Sequence, residues 1–164
     1  MGANATNAEI VQLDVVTQLK LAGEDVNASA AEINMAADSS ANSEIRTALS
    51  TLTAAESGKT IFLNSATGFV TTLPAPAIGL RFTFINMTVL SSGDHVIVTN
   101  GAAAIIEGHI LVAGAVVLGV NEKQVNFKVT DGDAGDYVSL ISDGTSWHLN
   151  GSAAVTAGMT LTAP

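Results

Sequence analysis

Asp131-Gly132-Asp133-Ala134-Gly135-Asp136-Tyr137-Val138-Ser139-Leu140-Ile141-Ser142-Asp143-Gly144-Thr145-Ser146-Trp147-His148-Leu149-Asn150-Gly151 is the stretch whose reading sets the fold class. It reads as a Gly/Asp-rich loop, a strand, an Asp-Gly turn and a second strand carrying the only Trp. Asp-Gly between two alternating runs signals a hairpin, because both residues tolerate the positive φ of a type I′ turn. In this reading Asp143 and Gly144 set the register and Trp147 anchors the core. The carboxylates of Asp131, Asp133 and Asp136 are a weak candidate site for Ca²⁺, a cation that wants oxygen ligands. The EF-hand spacing is absent, and a tight loop whose Asp side chains cap backbone N–H groups accounts for the same residues.

Upstream of the hairpin, short alternating runs recur between turn residues: Thr60–Asn64, Phe69–Leu73, Leu80–Leu90, His95–Asn100, Ala103–Ile106, Ile110–Val120 and Gln124–Thr130. Phe82 and Phe84 share one face of their run, and Thr83, Ile85 and Met87 the other. Pro74-Ala75-Pro76 interrupts ladder pairing. Ile110–Val120 is apolar on both faces; at eleven residues it is too short to span a bilayer and predicts one strand buried on both sides. Regular turns and short strands predict a mainly β protein, an antiparallel β-sandwich or jelly-roll-like domain. The tail, Ala153–Pro164, is small and apolar and suits lying along a neighbouring subunit.

The first part of the chain differs in kind. All seven aromatic residues lie beyond residue 56, so the independently folding unit is expected over residues 57–164, with residues 1–56 as an arm held by contacts elsewhere. Val11, Leu13 and Val15 alternate with polar residues and Leu19 and Leu21 continue the theme, as an extended strand does; a helix through Ile10, Leu13, Val16 and Leu19 also fits. Ser29 and Glu32 have the spacing of a capping box, which predicts a short helix carrying Ile33 and Met35. Such a helix is too short to stand alone. Residues 39–57 fit a second short helix, through Ile45, Leu49 and Leu52, or a linker.

Composition narrows the functions. Apolar residues make up 48% and charged residues 13%, about half the usual charged share. So lean a surface predicts burial against other subunits. The formal net charge is −9 and the six Lys and Arg are scattered, which excludes the basic stripe that nucleic acid requires and disfavours anionic membranes. There is no Cys. His95, His109 and His148 have no metal-ligand spacing, no GxSxG is present, and no catalytic constellation stands out. The expectation is a non-enzymatic protein with no cofactor, no resident metal and no small-molecule substrate.

Gly135-Asp136-Tyr137-Val138-Ser139-Leu140-Ile141-Ser142-Asp143-Gly144-Thr145-Ser146-Trp147 resembles a hairpin that recurs near the C-terminus of tailed-bacteriophage virion proteins. Ser57-Gly58-Lys59-Thr60, Thr72-Leu73-Pro74-Ala75-Pro76 and Gly79-Leu80-Arg81-Phe82-Thr83-Phe84 resemble the opening of the same β-domain. Asn27-Ala28-Ser29-Ala30-Ala31-Glu32-Ile33-Asn34 is similar to the segment that precedes it. The resemblance implies a homotrimeric virion structural protein, and the compact length favours a capsid decoration (cement) protein on the outer capsid surface. Its partners would be itself and the major capsid protein, which the arm residues Val11, Leu13, Val15, Leu19, Leu21, Ile33 and Met35 would contact. A tail fibre, spike or host-surface-binding module is the alternative within the family. A polysaccharide-degrading enzyme is the more remote one.

Overall fold

The computed structural model describes residues 39–163, together with residues 20–21, 24–25 and 33. The chain divides into two compact units, Met1–Ala37 and Asp38–Pro164. In the first, β1 (Lys20–Leu21) pairs antiparallel with β2 (Glu24–Asp25). Ile33 is helical and exposed.

The second unit contains β3 (Ser43–Arg46), β4 (Ser50–Thr51), β5 (Thr60–Leu63), β6 (Val70–Thr72), β7 (Arg81–Asn86) and β8 (His95–Val98). These are followed by β9 (Ile106–Val112), β10 (Ala115–Glu122), β11 (Gln124–Phe127), β12 (Tyr137–Ser142), β13 (Trp147–Ala153) and β14 (Met159–Thr162). They form a seven-stranded sheet in the order β10-β9-β13-β12-β7-β5-β3 and a five-stranded sheet in the order β14-β11-β8-β6-β4. Between the sheets lies one core, with Trp147, Phe82, Phe84, Ile61 and Ile110 from the larger sheet and Phe127, Val125 and Ile97 from the smaller.

The protein is mainly β, but its sheets are mixed rather than purely antiparallel. From β3 to β8, successive strands alternate between the two sheets, so the chain coils. Coil upon coil, β3, β5 and β7 stack in parallel in one sheet and β4, β6 and β8 in the other. The corners stack too: Leu52 N–H donates to Thr72 O and Leu73 N–H to Val98 O, each at 2.8 Å. Antiparallel strands β11, β12 and β14 then close the two sheets, while β13 lies parallel to β9. Alternation has the same period in parallel and antiparallel strands, so the pattern that predicts strands cannot choose between a jelly roll and a coil.

Four local readings change. Ile110–Val120 is not one strand. It folds at Ala113-Gly114 into the β9–β10 hairpin, with Val112 opposite Ala115. Both turn residues have positive φ, 49° and 80°, which is what a type I′ turn requires. Ala tolerates this at a cost of about 1–2 kcal/mol. At Asp143-Gly144, by contrast, the last strand pair is Ser142 with Trp147, leaving a four-residue loop in which Gly144 alone has positive φ. That hairpin therefore turns on the Asp143 side chain and not on an Asp-Gly type I′ geometry.

Residues 39–57 form neither helix nor linker but the first coil, with 3₁₀ turns at Ser39–Asn42 and Ala54–Glu56 around β3 and β4. The compact unit thus begins at Asp38, ahead of the expected residue 57. This coil needs no aromatic because ion pairs take their place. Arg46 bonds Glu44 at 3.0 Å and also Glu56, while Lys59 bonds Glu44 at 2.8 Å. The tail, finally, pairs with its own chain: Met159 lies opposite Phe127 and is 1% exposed. Among the described residues no helix is long and apolar enough to cross a membrane.

Candidate assembly face

Alternation along the strands puts one set of side chains into the core and the other onto the outer face of the seven-stranded sheet. Register then lines the outward set into rows. One row runs Ser43, Thr60, Thr83, Ser139, Asn150, His109 and Leu118 from β3 to β10. It is polar over most of its length, and the Thr83 and Ser139 hydroxyls share a hydrogen bond of 2.9 Å. The next runs Ile45, Phe62, Ile85, Tyr137, Ser152, Leu111 and Val116. It is apolar except for the Tyr137 hydroxyl and Ser152, and it carries no charge. Within it Ile45 is 56% exposed and Val116 60%.

Two depressions mark this face. A groove of about 310 Å³ over β3 and β5 is lined by Ser43, Glu44, Ile45, Phe62 and Met87. The Glu44 side chain turns to the core side of β3, where hydrogen bonds from Lys59 and Arg46 keep its carboxyl below the usual range. A cleft of about 350 Å³ lies over the middle strands, among Arg81, Thr83, Ser139, Ile141, His148 and Asn150. The His148 ring is bonded to Asp143 at 2.9 Å, and the Thr83 and Ser139 hydroxyls to each other. Among the described residues no hydrogen bond joins these hydroxyls to that imidazole.

The acidic loop ties backbone. Asp136 is 3% exposed, and its two carboxylate oxygens accept from Asp133 N–H and Ala154 N–H, both at 2.9 Å. Asp131 accepts from the Thr130 hydroxyl at 3.3 Å. Among the described residues no three His, Asp or Glu side chains converge as a metal site would require. Asp143 works the same way at the hairpin tip. It accepts from Thr145 N–H and Ser146 N–H, both at 2.8 Å, which with the His148 bond holds its carboxyl far below the usual range. Trp147 is fully buried against Phe82, ring centroids 5.9 Å apart.

Of the expected partner-contacting residues, Val11, Leu13, Val15, Leu19 and Met35 lie outside the described residues, Leu21 falls in β1, and Ile33 is 42% exposed. The outer-face row was not in that set. Its members are scattered from residue 45 to 152 and only strand register brings them into line. One signal was legible: β10 is apolar in both phases, which a strand with one wet face should not be. No family model, curated protein or solved structure matches the chain.

Proposed function

We propose that the chain is a non-enzymatic virion structural protein, a capsid decoration protein that binds the major capsid protein as a trimer and stabilises the shell. The observation that carries an assembly role is the uncharged row from Ile45 to Val116 across all seven strands, on a chain of net charge −9. Monomers rarely leave so wide an apolar stripe to water. The virion setting rests on the resemblance of the Gly135–Trp147 hairpin and the segments ahead of it. In this reading the Met1–Ala37 unit reaches capsid proteins, and three copies on one trimer bind as a unit.

The test is sedimentation of the purified protein with bare capsids and, separately, with host cells. Retention by capsids, lost on removing residues 1–37, is the expected result. Retention by cells alone moves the protein to a tail fibre or spike. The stacked coil β3–β8, whose end strand β3 is a sheet edge, favours that second reading, since coils of this kind extend by adding turns.

A further inference from the structure

Asn or Asp stands immediately before Gly at Asn100-Gly101, Asp131-Gly132, Asp143-Gly144 and Asn150-Gly151. In such a pair the Gly backbone nitrogen can attack the side-chain carbonyl carbon of the residue before it, because Gly has no Cβ to crowd the approach. The attack needs a nitrogen with no hydrogen-bond acceptor and a backbone free to turn. The structure closes every pair but one. Gly132 N–H donates to Lys128 O at 2.8 Å. Gly144 N–H donates to the Ser142 hydroxyl at 3.1 Å, and the Asp143 carboxylate is taken up by Thr145 and Ser146 N–H. A carboxylate is also a far poorer acceptor of a nucleophile than an amide. Gly151 lies inside β13, opposite Val138 on one side and Ile110 on the other, where a Cβ would meet Tyr137 O at 2.5 Å.

Asn100-Gly101 is open. It lies in the turn between β8 and β9, and Asn100, Gly101 and Ala102 are all exposed. Among the described residues no hydrogen bond holds the Asn100 side chain or the Gly101 N–H, and a Cβ on Gly101 would meet nothing within 4 Å. The base of the turn is clamped instead: Thr99 N–H donates to Lys123 O at 3.1 Å and its hydroxyl to Ala103 O at 2.7 Å. We propose that Asn100 is a site of spontaneous covalent modification, ageing to a mixture of isoaspartate and aspartate. The Gly101 nitrogen forms a bond to Asn100 Cγ and gives up its proton, the Cγ–Nδ2 bond breaks, and ammonia leaves with that proton. Water then opens the succinimide ring. Opening at the main-chain carbonyl gives isoaspartate, with an extra methylene in the backbone, and opening at Cγ gives aspartate. Either product adds one negative charge to a chain already at −9. The change is local, because the buried Ile97 and Ile106 lie beyond the clamp. This inference is independent of the assembly reading.

The test is incubation of the intact chain in mildly alkaline buffer, folded and in urea, followed by peptide mapping with electron-transfer fragmentation, which separates isoaspartate from aspartate. In the folded chain Asn100 should convert at least about a hundredfold faster than Asn150, since a central strand must open before it reacts and an exposed turn need not. In urea the two rates should come within about threefold, as neither site is then protected. Asn100→Gln, with unchanged far-ultraviolet circular dichroism, should lose the acidic species that ageing adds on anion exchange. Equal rates at the two Asn in the folded chain, or conversion of Asn100 more than about tenfold slower folded than in urea, overturns the proposal. So does earlier conversion at Asp131 or Asp143, or an acidic species that persists in Asn100→Gln.

Discussion

The two edges of the seven-stranded sheet are built on opposite principles. At β3, Glu44 and Arg46 point toward the core side and join Glu56 and Lys59 in an ionic cluster that closes the end of the coil. At β10, apolar side chains stand in water and charge is absent until Glu122. An edge strand is a template for unwanted pairing, and proteins commonly blunt such edges with charge. This chain blunts one edge and leaves the other bare. With few charged residues available, their placement is informative: they seal the end of the core at β3, and none stands on β10 before Glu122.

The comparison breaks most sharply in the core beneath the bare edge. Ile110 is fully buried on the inner side of β9, so Ile110→Ala should lower unfolding free energy by about 2–5 kcal/mol in urea denaturation. A loss under about 1 kcal/mol would mean that the hairpin is no part of the core. Next in size is the charged edge. Arg46 has a side chain only 12% exposed, and Arg46→Met removes the guanidinium that Glu44 and Glu56 share, at a cost of about 1–3 kcal/mol. An unchanged urea midpoint would show that the cluster is ornamental.

Acid should reach the two sheets at different pH values. Burial holds the His95 imidazole below its ordinary 6.5, with Phe69 N–H donating to Nδ1 at 3.3 Å. The unfolded chain takes up that proton first, so this contribution is complete above 6.5 and declines as pH falls toward the folded value. Glu44 is lowered by bonds to Lys59 and Arg46. For Glu56 burial pushes upward, but bonds from Thr53 and the nearby Arg46 and Lys59 charges more than offset it. Their contribution is present above 4.5 and lost as pH falls through the lowered values. Thermal unfolding across pH should therefore show two declines, and His95→Phe should remove only the upper one. The smallest effect belongs to the bare edge itself. Leu118→Glu should leave the stability of the isolated chain within about 0.5 kcal/mol, because an exposed side chain loses little. A larger loss at dilutions where the parent is a monomer would show that β10 is covered by its own chain.

Much of the strand pattern was legible. Phe82 and Phe84 point inward and Thr83, Ile85 and Met87 outward because period two is a local property of extended backbone. The first coil was not, since residues 39–57 carry no aromatic and their Ile45, Leu49 and Leu52 mimic helical spacing. Two of these three are exposed, and the coil is held by ion pairs between residues up to fifteen apart. The Ala113-Gly114 turn was hidden for another reason. Ala lacks the preference for positive φ that marks Asn-Gly or Asp-Gly, so the turn is imposed by the pairing of β9 with β10 and not announced by its residues. The apolar outer-face row was legible only at β10, where apolar residues fill both phases.

The sequence by itself determined that the chain is mainly β, that Phe82, Phe84, Phe127 and Trp147 face one core, and that the Asp143–Trp147 segment turns between two strands. Those follow from alternation, side-chain volume and the capacity of Asp and Gly to satisfy a turn, all of them local. The tertiary structure alone decided that the strands coil in parallel, that the first coil is sealed by charge, and that one sheet edge is left apolar. Pairing partners lie tens of residues apart, and the stripe from Ile45 to Val116 exists only when register has put seven strands side by side.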